Sequence, residues 1–102
     1  IELGKSETVQ WGTDGAIIAC GAMLRQALEA ASKLAAEGIE VAVINARFIK
    51  PLDEAMLQKV FENCRFVLTV EEGQLMGGFG SAVLEHACER GYDTRILQRL
   101  GI

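Results

Sequence analysis

Two adjacent acids, Glu71 and Glu72, are the residues of this chain whose type and spacing first indicate chemistry. Paired carboxyl groups can act as general acid and general base when both face one substrate. Neighbouring residues of an extended chain, however, point to opposite faces, so at most one of the two can face a given partner. We therefore expect one solvated carboxylate and one that accepts from local backbone N–H groups or meets Arg47, rather than a catalytic dyad.

A glycine-rich turn follows the two acids and precedes a helical pattern that begins at Ser81. Such a turn can hold a phosphate at a helix N-terminus. It lacks the lysine followed by Ser or Thr of a Walker-type loop, and glycine first serves close backbone approach. We predict a tightly packed or chain-contacting turn, whose interface or loop-shaping residues, with those of a neighbouring turn, are Arg47, Phe48, Pro51, Glu71, Glu72, Gly73, Met76, Gly77, Gly78, Phe79 and Gly80.

Other reactive side chains do not assemble a recognisable centre, so we predict no catalytic, cofactor-binding or metal-binding residue in this chain. His86 has no nucleophile at a known spacing, and a solvated or helix-surface position is expected for it. The three cysteines are widely separated, which disfavours zinc and redox pairs and indicates reduced thiols, in a cytoplasm or a similar organelle stroma. The first strand-to-helix turn lacks the glycine triplet of a nicotinamide site.

Composition excludes several classes of function. The 102 residues are 50% hydrophobic and carry a net charge of −4, without the basic stripe that nucleic-acid binding requires. No apolar run approaches the roughly 20 residues of a membrane helix. The sequence begins at Ile1 without methionine and stops after a strand pattern, which we interpret as residues 1–102 being one domain of a longer chain.

Hydrophobic periodicity predicts a strand, then three strand–helix pairs, then a final strand. That order is typical of a three-layer α/β/α sandwich with a mostly parallel sheet. In the third helix, Val83, Leu84, Ala87 and Cys88 are predicted to face inward, and Asp53, Gly38 and Gly91 are predicted helix caps. The predicted strands are residues 8–11, 16–20, 41–44, 65–70 and 95–100, a turn covers residues 12–15, and the helices are residues 22–37, 54–63 and 81–90.

Two segments, residues 44–53 and 70–81, together resemble the C-terminal domain of transketolase-type thiamine diphosphate enzymes. The resemblance implies a five-stranded mixed sheet whose first strand is antiparallel to the rest. Within this superfamily it is greatest to the branch that condenses pyruvate with glyceraldehyde 3-phosphate, releasing CO₂, for isoprenoid precursors. A 2-oxo acid dehydrogenase β subunit, whose domain docks an acyltransferase core, is the alternative. A free-standing ligand-binding α/β domain is a third hypothesis.

The resemblance also implies how the work is divided in the parent enzyme. Thiamine diphosphate and Mg²⁺ would be held by other domains, and none by this one. The domain would support the cofactor domain and the homodimer, so its partners would be the rest of the parent chain and a second copy, not nucleic acid or a membrane. A cytoplasmic location, or the plastid stroma for a plant source, is expected.

Overall fold

The computed structural model describes residues 6–46, 52–72 and 78–101. It confirms the predicted α/β sandwich. The strands are β1 Glu7–Thr13, β2 Gly15–Cys20, β3 Val41–Ala46, β4 Val67–Glu71 and β5 Leu97–Gly101, and the helices are α1 Leu24–Ala36, α2 Glu54–Asn63 and α3 Phe79–Arg90. Short 3₁₀ helices, Gly21–Met23 and Thr94–Ile96, precede α1 and β5. Among the described residues no helix is long and apolar enough to cross a membrane.

The five strands form one mixed sheet in the order β1-β3-β2-β4-β5. Strand β1 pairs with β3 antiparallel, and the other neighbouring pairs are parallel. The step from β2 to β3 runs one way across the sheet, and the steps from β3 to β4 and β4 to β5 run the other way. Because parallel crossovers are right-handed, α1 lies on one face while α2 and α3 lie on the other. The predicted mixed sheet with an antiparallel first strand is confirmed.

Each face of the sheet has its own apolar core. Ile18, Ile44, Val67, Leu57 and Val83 are fully buried between the sheet and the α2–α3 side. On the α1 side, the core comprises side chains of β2, β3 and β4 packed against one face of α1, chiefly Ile17, Val41, Val43, Ala27 and Ala31. The central strand β2 is buried on both faces, which explains its uninterrupted apolar sequence.

Strand β1 is longer than predicted, and its pairing with β3 is irregular. Thr8 pairs with Ile44 but Gln10 with Val43, and the register shifts again before Thr13 pairs with Val41. Each shift places an extra β1 residue opposite β3, as in a β-bulge. The predicted turn at residues 12–15 is therefore wrong in extent: Gly12 and Thr13 belong to β1, and Asp14 alone separates it from β2.

The predicted helix caps are confirmed. Gly38 and Gly91 have φ values of 84° and 75°, in the left-handed region where glycine is favoured. Asp53 caps α2, since its Oδ1 accepts from the N–H of Met56 at 3.2 Å. Its Oδ2 accepts both from the N–H and from the hydroxyl of Ser6, each at 2.8 Å. One carboxyl group thus joins the start of α2 to the chain before β1.

We predict that Asp53→Ala lowers the free energy of unfolding by about 2 kcal/mol, at the upper end for loss of a helix cap. The reason is that three donors, two of them distant in sequence, lose their acceptor together. Asp53→Asn, which keeps an oxygen for capping, serves as the matched variant and is expected to lose less than half as much. Urea denaturation followed by circular dichroism measures both values, and equal losses would contradict the capping role.

One inward-facing residue was predicted wrongly. Val83 and Ala87 are buried and Leu84 is partly buried, but Cys88 is exposed. Helix α3 begins at Phe79 rather than Ser81, and its buried face is Phe79, Gly80, Val83 and Ala87. This stripe repeats at three- and four-residue steps from Phe79, and Cys88 lies beside it, on the solvent side.

Candidate functional site

The candidate site lies at the carboxyl edge of the parallel strands, where β4 ends and α3 begins. In open α/β sheets this edge, next to strands whose connections leave on opposite faces, commonly carries binding surfaces. Glu71, Glu72, Gly78, Phe79 and Gly80 are described there. The other predicted site residues lie outside the described residues, and their roles, including contact with Arg47, stay predictions: Arg47, Phe48, Pro51, Gly73, Met76 and Gly77.

The two acids behave differently, as their alternation predicts. Glu71 is only 6% exposed, and its Oε2 accepts from the N–H of Gly80 at 2.7 Å. Glu72 is exposed to solvent. The first N–H groups of a helix have no partner within the helix, so a side-chain acceptor stabilises that end. The hypothesis of one solvated carboxylate and one that binds local backbone is confirmed.

Gly80 lies close to side chains of β4 and β5, which leave little room for a larger residue. A Cβ placed there would lie 3.0 Å from Oγ1 of Thr69 and 3.3 Å from Cδ of Arg99. Oγ1 of Thr69 is enclosed and has no hydrogen-bond partner among the described residues. Arg99 reaches over the same spot and donates from Nη1 to Oγ of Ser81 at 3.3 Å. The start of α3 is thus pressed against β4 and β5, as tight packing predicts.

Gly78 and Phe79 shape the turn in different ways. Gly78 has φ −90° and ψ −170°, an extended conformation open to other residues, so a positive φ is not the reason for this glycine. Its carbonyl accepts from the N–H of Ala82 at 3.2 Å, which closes the first turn of α3. Phe79 is only 4% exposed and packs into the core beneath α2 and α3. Phe79 therefore anchors the start of α3 in the core.

The chemistry of the described residues does not fit thiamine diphosphate. The buried Glu71 carboxyl group accepts from the Gly80 N–H, so an anion at this helix end would lie beside an acid. In the described part of the chain no three His, Cys, Asp or Glu side chains converge as a metal site would require. We therefore derive no catalytic step through the cofactor or a metal at this edge.

Neither the residues that pack against Gly80 nor the partly buried position of His86 was predicted from the sequence. Thr69 and Arg99 were predicted only as strand residues. Thr69 lies two residues from Val67 and from Glu71, and Arg99 lies two residues from Leu97. Because alternate residues of a strand share one face, this spacing could have placed both on the α3 face. His86 is partly buried and makes an edge-type ring contact with Tyr92, at a centroid distance of 6.0 Å. Its Nε2 is enclosed, without a hydrogen-bond partner among the described residues. It is not a fully solvated histidine.

The three cysteines carry thiols rather than disulfides, and they differ in exposure. Cys64 is buried, and burial raises the pKa of its thiol, whereas Cys88 is exposed. Since the thiolate is the reactive form, we predict that iodoacetamide at pH 8 modifies Cys88 at least about ten times faster than Cys64. Peptide mass spectrometry measures both rates, and the difference should vanish in urea. Comparable rates in the folded protein would contradict the burial of Cys64.

The raised pKa of the Cys64 thiol makes the stability of the fold decrease at high pH. Because the folded-state pKa of Cys64 is raised above 9.0, its neutral thiol contributes stability that is complete below that value. The contribution is lost as the pH rises through the folded-state pKa.

Taken together, the fold and the edge define an α/β domain in which the buried Glu71 carboxyl group at the end of β4 binds the start of α3. A family model described as "Transketolase, C-terminal domain" matches residues 4–101, and the chain belongs to this family. It is therefore a domain of the transketolase-type thiamine diphosphate enzymes, which are transferases.

Curated relatives identify a particular branch. The chain is 52% identical over 102 residues to the 1-deoxy-D-xylulose-5-phosphate synthase of Rhodopirellula baltica, and 47% identical to that of Geobacillus thermodenitrificans. All of this chain is matched in each case, but it spans only 16% of the length of either relative. Both relatives carry the synthase name, which supports that branch over the dehydrogenase β subunit.

Solved structures give the same fold. A split-gene transketolase, described as an inactive β4 tetramer, superposes with a TM-score of 0.89 at 36% identity, covering 100% of this chain and 33% of that one. The 2-oxoglutarate:ferredoxin oxidoreductase of Magnetococcus marinus superposes with a TM-score of 0.64 at 21% identity, covering 96% of this chain and 16% of that one. At that identity the second likeness concerns the fold alone.

Proposed function

We propose that this chain is the C-terminal domain of a 1-deoxy-D-xylulose-5-phosphate synthase. The parent enzyme condenses pyruvate with glyceraldehyde 3-phosphate and releases CO₂, in the formation of isoprenoid precursors. The observation that carries the proposal is the 52% identity across all 102 residues to a relative with that name. The cofactor, thiamine diphosphate with Mg²⁺, belongs to other domains of the parent, which is a cytoplasmic homodimer.

Within the parent, this domain supports the cofactor domain and the dimer and performs no bond-making step. The arrangement at the carboxyl edge supports that role, because Glu71 is committed to Gly80 and Phe79 is committed to the core. The residues that we expect to contact the rest of the parent enzyme are the exposed Glu72 and the predicted contact residues Arg47, Phe48 and Met76.

The test is a coupled assay of the purified parent protein with pyruvate, glyceraldehyde 3-phosphate, thiamine diphosphate and Mg²⁺. We expect one CO₂ released for each glyceraldehyde 3-phosphate consumed. Release of CO₂ from pyruvate that needs an acyltransferase core, and is indifferent to the aldehyde, would instead support the dehydrogenase alternative. Calorimetry of the 102-residue chain with thiamine diphosphate and Mg²⁺ is the control, and tight binding there would overturn the supporting role.

A further inference from the structure

The cap of helix α3 comes from a different element of the fold. A helix start is usually capped by the side chain of its own N-cap residue, but in α3 that residue is Gly78, which makes no side-chain cap bond. The acceptor is instead Oε2 of Glu71 at the end of β4, which accepts from the N–H of Gly80 at 2.7 Å. The carboxyl group also lies where the helix macrodipole favours negative charge. One side chain therefore caps the helix and fixes it to a strand.

This hydrogen bond joins the two ends of the β4–α3 connection. Glu71 and Gly80 are nine positions apart, and an extended chain of nine residues spans about 30 Å. Three of the residues predicted to contact the rest of the parent enzyme, Gly73, Met76 and Gly77, lie between them in the sequence. Because both ends of the connection are held together, the positions that the residues between them can reach are restricted.

The start of α3 is fixed independently of Glu71. Phe79 packs into the core, and Arg99 of β5 donates from Nη1 to Oγ of Ser81 at 3.3 Å. Glu71 itself is 6% exposed, and a buried carboxyl group is costly unless its hydrogen bonds are made, so it has little freedom to leave Gly80. Loss of the carboxyl group would release the end of β4 from an anchored helix while the apolar cores of the sheet remain.

We propose that Glu71 is a positioning residue of the parent enzyme, which holds the β4–α3 connection in place against the rest of the parent chain. It acts through the Gly80 N–H and not on substrate or cofactor. The inference rests on the proposed function, because the contacted surface belongs to the longer enzyme, and this chain spans only 16% of the length of its curated relatives. A contact that needs one placement of the connection is weakened by the fraction of molecules that lack it.

Hydrogen exchange of the full parent protein, followed by mass spectrometry, tests this role. In Glu71→Ala, amides of residues 73–77 and of peptides outside residues 1–102 that contact them should exchange at least about five times faster than in the parent. Glu71→Gln keeps an acceptor oxygen and should restore most of the protection. If Glu71→Ala does not fold, Glu71→Asp takes its place, since it keeps the charge but shortens the side chain. Unchanged exchange outside residues 1–102 in the folded variant would overturn the proposal.

Gly12→Ala is the matched control for loss of stability. Its added Cβ would meet the backbone of Glu40 and Val41, where β3 begins, at the edge of the sheet opposite to Glu71. A comparable loss of stability is expected, but exchange outside residues 1–102 should stay within about twofold of the parent, because the β4–α3 connection is left in place. If Gly12→Ala exposes the same outside peptides as strongly as Glu71→Ala, general destabilisation explains both and the positioning role is overturned.

The exchange measurement also separates this inference from the proposed function, since it requires no turnover. A parent whose outside peptides depend on Glu71, but which lacks synthase turnover, would refute the proposed function and leave the positioning role standing. A parent with synthase turnover whose outside peptides are indifferent to Glu71→Ala would overturn the positioning role alone.

Discussion

Replacing Glu71 with alanine is expected to lower the free energy of unfolding of this chain by about 2–3 kcal/mol. The substitution removes the acceptor of the Gly80 N–H, and both groups are buried, so the donor is left without a partner or water. An unsatisfied buried donor costs about 1–3 kcal/mol, and the small cavity left by the side chain adds to this. The measurement is urea denaturation of the 102-residue chain.

Glu72→Ala is the matched control, because the neighbouring carboxylate is exposed and bonds to no described residue. Its expected effect is within about 0.5 kcal/mol, as for ordinary surface substitutions. Glu71→Gln, which keeps an acceptor oxygen, should recover more than half of the loss. If Glu71→Ala and Glu72→Ala destabilise equally, the hydrogen bond to Gly80 does not hold α3 in place.

The second large effect is expected for Gly12→Ala, at about 3 kcal/mol. A Cβ on Gly12 would lie 2.6 Å from both the carbonyl carbon and the carbonyl oxygen of Glu40, and 2.8 Å from the backbone nitrogen of Val41. These are backbone atoms at the start of β3, which cannot turn away as the end of a side chain can. Forcing them apart disturbs the bulged pairing between β1 and β3, and overpacking of this kind costs about 1–3 kcal/mol or more.

Gly38→Ala separates this steric effect from backbone strain. Gly38 has φ 84°, and nothing lies within 4 Å of an added Cβ, so the same chemical change meets strain without a clash. Its expected cost is about 1 kcal/mol. Thermal denaturation of the two variants side by side checks the difference, and a Gly12→Ala cost no greater than that of Gly38→Ala would show that β1 moves freely.

The elements were predictable where one local cause dominates. The period of α1, the capping chemistry of Asp53 and the apolar runs of β2 and β3 each specify their structure from neighbouring residues, and the structure confirms them. The antiparallel first strand came from family resemblance, because alternation of strands and helices does not fix the direction of an edge strand.

What the sequence could not supply depends on contacts between distant residues. The bulges of β1 follow from its pairing with β3, which no local pattern encodes. The contact of Gly80 with Thr69 and Arg99 requires the order of β4 and β5 beneath α3. For the acids, alternation predicted which environments they would occupy but not that Gly80 would be the donor. The exposure of Leu100 depends on the position of α1, which packs over β2 and β3 and leaves Leu100 of β5 at the side of the same sheet face.

The position of β2 has a consequence for synthesis on the ribosome. This apolar strand lies between β3 and β4, so both of its edges need a partner. Strand β2 ends at Cys20 and β4 begins at Val67, so 47 residues (67 − 20) must be added before the second edge can be paired. At roughly 5–20 residues per second this takes about 2–9 s. Until then one edge of this apolar strand lacks its partner, and an unpaired apolar strand edge is prone to aggregation.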